Sequence, residues 1–215
     1  MSLKNLSVRN KIPNQYKVKL SNQRVNQIYK KFENSFKIDT NFIVGVSGGA
    51  DSLALAFLTK LFALKNNLSP KYYIVDHKLR KESTREAFKV KKILSSLDIN
   101  SQILTVRGNK PQNKVQSFAR EKRYNLLFSK CKKFKINNLI LGHHMDDLFE
   151  NFFLRMIRGS GLKGLVSLGE STQIHNINLI RPLIKFDKKD LLYISKFVFN
   201  FYVNDPSNYD PKFNR

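Results

Sequence analysis

Six consecutive residues, Ser47-Gly48-Gly49-Ala50-Asp51-Ser52, carry the densest chemistry in the chain. Two glycines let backbone N–H groups approach an anion with no Cβ in the way. A helix starting just after them aims its positive end at the same point. Ser47 and Ser52 add hydroxyl donors. Asp51 would repel a phosphate unless a cation intervened, and a magnesium ion bridging carboxylate and phosphate oxygens resolves that conflict. The loop lacks the lysine of G-x-x-x-x-G-K-[ST], so it is not a Walker A loop.

Two further polar clusters stand out. His143-His144-Met145-Asp146-Asp147 places two of the chain's four histidines side by side, just ahead of two carboxylates. Oxygen-rich ligands suit magnesium, whereas adjacent histidines favour a transition metal, and N-cap or turn duty is the plainer reading. Asp76-His77-Lys78-Leu79-Arg80 is the other cluster, with a capped loop as its plainer reading. Arg120, Arg123, Arg155 and Arg158 fall in helical stretches. Their forks suit phosphate, although a solvated basic face explains any single one equally well. Arg158-Gly159-Ser160-Gly161 ends a helical stretch in a glycine loop, either a C-cap or a substrate contact. Arg181, before Pro182, is either a substrate contact or a surface arginine.

The elements that must position these groups alternate. Phe42-Ile43-Val44-Gly45-Val46 is a short, β-branched apolar run that ends at Ser47-Gly48-Gly49, as a buried strand feeding a glycine turn does. Leu53 to Leu64 reads as an apolar helix and Lys71 to Val75 as a second strand. Ser83-Thr84-Arg85-Glu86 has the form of a capping box, followed by Ala87, Val90, Ile93, Leu94 and Leu97 at helical spacing. Gln102 to Val106 reads as a strand, Gln112 to Phe134 as a long basic helix and Leu139 to Gly142 as a fourth strand. Met145 to Arg158 reads as a helix, Asn178 to Leu183 as a fifth strand, and Asp187 caps a last helix to about Asn200. Residues 22–36 form a further helix, with Val25, Ile28, Tyr29 and Phe32 on one side; residues 1–20 are polar, basic and aperiodic. The pattern predicts an α/β fold, a parallel sheet of about five strands with helices on both faces. Ligands of such sheets sit at the carboxyl ends of the strands, near the switch point, so the three polar clusters should converge on one crevice.

The 215 residues carry 39 Lys+Arg against 16 Asp+Glu, a net charge of +23. So large an excess points to a polyanion, nucleic acid foremost, although low-GC codon usage also inflates lysine and asparagine. The first 32 residues hold eight Lys or Arg and no Asp or Glu. They lack the amphipathic face of a transit peptide and read as a basic RNA-contacting or disordered arm. One cysteine, Cys131, excludes an intramolecular disulfide and a Cys-based zinc or iron–sulfur site within these residues. No apolar stretch approaches the roughly 18 residues of a membrane span, so no membrane partner is expected.

Val46 to Ser52 resembles the loop of the N-type ATP pyrophosphatases, which cleave ATP to AMP and pyrophosphate. Val75-Asp76-His77-Lys78-Leu79-Arg80 is similar to the V-D-H-x-L-R string of the tRNA(Ile)-lysidine synthetases. Gln116, Ala119-Arg120 and Arg123-Tyr124 resemble that family's A-R-x-x-R-Y helix. Leu141-Gly142-His143-His144-Met145-Asp146-Asp147 with Glu150 resembles its G-H-H-x-D-D-x-x-E-T element. Arg158-Gly159-Ser160-Gly161, Gly164-Leu165, Arg181-Pro182-Leu183 and Asp205-Pro206-Ser207-Asn208 follow in family order. Each later string alone is weak; all of them in order, over about residues 40–215, are specific. Asn151 stands where the family has threonine, and the family pattern continues past Arg215 into smaller domains that help to bind tRNA.

The resemblance implies a PP-loop catalytic domain over residues 37–215, Rossmann-like and of the adenine nucleotide alpha-hydrolase type, behind a basic extension at 1–36 that is helical or partly disordered. It implies ATP and Mg2+ as cofactors, and tRNA(Ile) with a CAU anticodon and L-lysine as partners. A cytoplasmic location follows, and a homodimer is allowed. ATP would adenylate O2 of the wobble cytidine, and the lysine ε-amine would then displace AMP at C2. Ser47 to Ser52 with Asp76 and His77 would hold the nucleotide. Asp51 and Asp147 would be magnesium ligands or amine orienters, His143 a base or phosphate contact, and Arg123 would act with them. Arg120, Arg155, Arg158, Gly159, Ser160, Gly161 and Arg181 would meet tRNA or lysine. Two alternatives stand beside this reading. Another PP-loop tRNA-modifying enzyme, such as a thiolase, would want the cysteines that this chain lacks. A tRNA-binding remnant would keep the charge without turnover.

Overall fold

The computed structural model describes residues 12–108, 115–143, 170–174 and 176–203. Six strands form one sheet: β1 (Phe42–Val46), β2 (Lys71–Asp76), β3 (Ser101–Thr105), β4 (Asn138–Leu141), β5 (Ser171–Ile174) and β6 (Ile177–Ile180). Their spatial order is β3-β2-β1-β4-β6-β5. All neighbours are parallel except β5, which runs antiparallel to β6 at one edge.

The period of two in the strands builds two cores. Phe42, Val44, Val46, Tyr72, Ile74 and Ile140 face one; Ile43, Tyr73, Leu139, Leu141, Ile177 and Leu179 face the other. The first core is covered by α1 (Asn14–Leu20), α2 (Gln23–Ser35), α3 (Ala50–Lys65) and α4 (Ser83–Ser95). The second is covered by α5 (Val115–Phe134) through Leu127 and Cys131. A last helix, α6 (Lys188–Ile194), returns to the first core through Leu191 and Ile194. Most of α3 is buried, including the unbroken run Ser52 to Thr59, because the sheet lies under it and α2 and α6 lie over it. Gly45 sits where α5 crosses β1: a Cβ there would lie 2.7 Å from Leu141 Cδ2 and 3.1 Å from Leu127 Cδ1.

The α/β expectation holds, with helices on both faces and five parallel strands. Four details differ. The sheet gains β5, whose Ser-Thr-Gln-Ile sequence has one apolar residue, Ile174 against the second core, and which is held by backbone pairing with β6. The strand expected to reach Leu183 stops at Ile180, and the chain then turns, with Ile184 N–H on Arg181 O and Phe186 N–H on Leu183 O. The aperiodic stretch before residue 20 contains α1, whose Tyr16 is fully buried, stacks on Phe57 and donates its hydroxyl to Leu97 O. The last helix is α only to Ile194; Ser195–Phe199 widens into a π-helical turn that ends at Asn200 with φ +49°. The start of the helix expected at Gln112 and the whole of that expected over Met145–Arg158 lie outside the described residues.

Tyr16 ties α1 to the sheet's first core, so Tyr16→Ala should cost the fold about 3–5 kcal/mol, as large aromatic truncations do. Urea denaturation of the two chains measures this; a loss below about 1 kcal/mol would mean that α1 is only loosely docked.

Candidate active site

The turn after β1 is organised by one hydroxyl. Ser52 Oγ accepts hydrogen bonds from Ser47 N–H (3.2 Å), Gly48 N–H (3.0 Å) and Ser47 Oγ (3.1 Å), and donates to Gly49 O (2.9 Å). Expected as a phosphate donor, Ser52 instead gives its single proton to the loop's own backbone in this structure. Gly48 has φ +91°, and a Cβ there would lie 2.6 Å from Val90 Cγ2 and 3.1 Å from Val203 Cγ2. Conformation and packing both demand glycine at that position. Gly49 is the N-cap of α3 and makes no side-chain cap, so the positive end of α3 opens at the loop, with Asp51 in its first turn.

β4 brings the second cluster to the same place. The order β2-β1-β4, with α3 on one face and α5 on the other, makes the gap between the carboxyl ends of β1 and β4 the switch point of the sheet. A Cβ on Gly142 would lie 3.1 Å from Ser52 Cα and 3.2 Å from Asp51 O, so the exit of β4 presses directly on the first turn of α3. Sequence reasoning counted Gly142 only as part of a string; the close approach it permits links two loops 90 residues apart. A cleft here is lined by Ser47, Ser52, Val75, Arg123, Leu127, Gly142 and His143.

Arginines surround that cleft on the α5 side. Arg123 Nη2 lies 3.5 Å from His143 Nε2. Burial, then the charges of Arg123, Arg120 and Arg181, push the His143 imidazolium down to about 3, so the ring is neutral at physiological pH. Arg181 is 4% exposed and donates to Thr172 Oγ1 (3.0 Å). Burial lowers its guanidinium, opposed by Tyr124, which it also hydrogen-bonds. A surface arginine is therefore excluded. Arg120 and Arg123 lie near the Tyr124 ring, at 5.7 and 5.6 Å from its centroid.

Asp76, at the end of β2, is 2% exposed and fully engaged. One oxygen accepts from Lys78 N–H (2.9 Å) and Ser83 Oγ (2.8 Å), the other from Thr84 Oγ1 (2.6 Å). Burial raises its carboxyl, but the bonds from Thr84, Lys78 N–H and Ser83 outweigh burial and hold it below the usual range. The capping box expected at Ser83 does not form. Glu82 is the N-cap without a side-chain bond, both hydroxyls serve Asp76, and Glu86 pairs with Arg80 at 2.9 Å. In this structure Asp76 clasps the β2–α4 junction. His77 beside it has a buried Nδ1 that makes no hydrogen bond among the described residues.

The structure thus brings the Ser47–Ser52 turn, His143, Arg120, Arg123 and Arg181 to one crevice, with Asp76 and His77 at the next strand end. Asp147, Arg155, Arg158, Gly159, Ser160 and Gly161 lie outside the described residues, as do His144 and Asp205 to Asn208.

Burial, then Arg123, against the opposing pull of Asp76, lowers His77 from 6.5 to about 4. The unfolded chain therefore takes up this proton before the folded one does. The resulting stability is intact above about pH 6.5 and is lost as pH falls towards 4. His77→Gln should reduce the loss of stability between pH 7 and 5 by on the order of 1 kcal/mol, discounted for the part of the ring that meets solvent. Denaturant titrations at both pH values test this, and an unchanged difference would place the ring in contact with water.

A family profile described as the PP-loop domain matches residues 18–215. Curated relatives include proteins named tRNA(Ile)-lysidine synthase. The chain is 38% identical to that of Orientia tsutsugamushi over 181 residues, 84% of this chain and 41% of the relative. It is 37% identical to that of Rickettsia akari over 195 residues, 87% of this chain and 45% of the relative. For Rhodopseudomonas palustris the figures are 36% over 175 residues, 80% and 51%. The chain thus spans about half the length of these relatives. Among solved structures, a U34-tRNA thiolase from Methanococcus maripaludis with its [4Fe-4S] cluster superposes with a TM-score of 0.73 at 21% identity, covering 87% of this chain and 67% of that one, a likeness of fold. On the match across residues 18–215, the chain belongs to the PP-loop domain family.

Proposed function

We propose that this chain carries the catalytic domain of a tRNA(Ile)-lysidine synthetase, an ATP-dependent ligase. ATP would adenylate O2 of the wobble cytidine in a CAU anticodon, releasing pyrophosphate, and L-lysine would then attack C2 and release AMP. The observation that carries the reading is the meeting of the Ser47–Ser52 turn with His143, Arg120, Arg123 and Arg181 at the switch point. The names of the curated relatives support the choice among PP-loop chemistries.

The geometry suits the chemistry group by group. The open end of α3 and the Gly49 amide offer donors to phosphate oxygens. Arg120, Arg123 and Arg181 offer fixed positive charge where pyrophosphate and the cytidine oxygen carry negative charge. Asp51 is an oxygen donor of the kind magnesium takes, and no three His, Cys, Asp or Glu side chains gather among the described residues. A magnesium ion held by Asp51 would neutralise phosphate charge there. Asp147 is proposed as its second protein ligand. His143, pushed down to about 3, is a weak base toward a lysine ammonium whose ordinary pKa is near 10.4, so it is proposed as a phosphate contact. Arg155, Arg158 and the Gly159-Ser160-Gly161 loop are proposed to meet tRNA.

Cys131 weighs against sulfur transfer. It is buried near the end of α5 and is not among the residues that line the crevice, and burial raises its thiol to about 11. The net charge of +23 supports an RNA substrate. No helix among the described residues is long and apolar enough to cross a membrane. A cytoplasmic location and a homodimer remain part of the same proposal.

Incubating the chain with ATP, magnesium, lysine and tRNA(Ile) bearing CAU should yield a cytidine heavier by one lysine minus water on nucleoside mass analysis. Asp51→Ala should lower the rate at least about a hundredfold, as removal of a group on transferring phosphates does. AMP without lysine attachment would mean a different acceptor or amine. Binding of tRNA without any AMP would sink the enzymatic reading.

A further inference from the structure

The phosphate turn is held from outside by a segment 150 residues downstream. After the π-helical turn and Asn200, the chain runs past Gly48, and Val203 N–H donates to Gly48 O at 2.9 Å. Ser195, fully buried in the π-helical turn, donates its hydroxyl to Ala50 O. One short stretch therefore binds two carbonyls of the turn, on either side of Gly49. Lys89 Nζ sits 4.2 Å above the Phe201 ring and pins the stretch to α4 from the other side.

A peptide unit is planar and trans, so its carbonyl and N–H point in opposite directions. The Gly48 carbonyl and the Gly49 N–H belong to one such unit. Fixing the carbonyl against Val203 points the Gly49 N–H the other way. Ser47 N–H and Gly48 N–H are turned onto Ser52 Oγ, so they are not free for a ligand in this arrangement. Glycine at φ +91° has no side chain to hold that unit, and a glycine peptide flips easily. Val203 N–H is the group that resists the flip, and the Val203 side chain closes on Gly48 to keep water from replacing it.

We infer that the Ser195–Val203 strap is a positioning element for nucleotide binding: its hydrogen bonds to Gly48 O and Ala50 O set the Gly49 amide and the first turn of α3 for a phosphate oxygen. This rests on the reading that the turn takes ATP. Ser195 and Val203 are not among the residues that line the crevice, so they act through the turn and their effect is on the affinity for ATP.

The test is the dissociation constant of Mg-ATP and, separately, of tRNA for the whole chain and four variants, by calorimetry, with melting temperature as a check of folding. Val203→Pro deletes the N–H; Val203→Ala keeps it. Ser195→Ala deletes the hydroxyl; Ser195→Thr keeps one. Val203→Pro should weaken ATP about tenfold and Ser195→Ala about threefold, as loss of one hydrogen bond does. Val203→Ala and Ser195→Thr should stay within about twofold of the parent, and tRNA affinity should not move in any variant. Equal ATP affinity in parent, Val203→Pro and Ser195→Ala would overturn the inference. So would an equal loss in Val203→Pro and Val203→Ala, which would reduce the strap to packing. If Val203→Pro fails to fold, the Ser195→Ala and Ser195→Thr pair decides. A parent chain that binds tRNA but no ATP would overturn the reading of the turn and the inference together.

Discussion

A backbone N–H can receive an anion only while its peptide plane is held and no other acceptor claims it. The turn after β1 meets this constraint with very little. Ser52 claims the Ser47 and Gly48 amides and so fixes the turn, Gly49 leaves the end of α3 open, and Gly48 takes a conformation that no other residue adopts without strain. The rest of the fold supports that arrangement. Because α3 is buried along most of its length, the helix cannot slide to relieve a distorted turn. Because Gly142 lies against its first turn, β4 fixes the opposite wall. Packing density in the core is thus converted into angular precision at a few peptide groups.

The second determinant is charge. Burial disfavours a charge on His143, three arginines around it repel each other and any proton on the ring, and the imidazole stays neutral. Such a cluster is stable only when most of the charge is solvated or when an anion shares the space. A phosphate entering the crevice would relieve the repulsion and raise the basicity of the same histidine, because opposite charge favours the protonated form. Anion binding would thus be linked to proton acceptance on one side of the sheet, while the clasp at Asp76 keeps the neighbouring loop in place.

Much of this was legible in the chain itself. The β-branched run ending in Ser-Gly-Gly, the apolar helix after it and the strand ends bearing polar clusters all read correctly, because each is encoded within about ten residues. What escaped reading is encoded across the fold. Tyr16 is the one fully buried residue of α1, and one residue has no period. β5 has a single apolar residue, Ile174, and exists because β6 offers an edge. Ser83 and Thr84 have the spacing of a cap, yet a carboxylate seven and eight residues earlier claims both hydroxyls. Arg181 read equally as a substrate contact or a surface arginine, and only the fold shows it buried against Thr172 and Tyr124. The contact between Val203 and Gly48 has no local signature at all.

Cys131 carries a practical consequence. It is the only thiol in these 215 residues and is buried, and a rise from 9 to about 11 leaves about a hundredfold less thiolate at any pH below both values. The chain therefore behaves almost as a cysteine-free background. A single cysteine introduced at the mouth of the crevice would react with a fluorophore or spin label long before the native one, so opening and closing around the turn becomes measurable by site-specific spectroscopy without first removing a native residue.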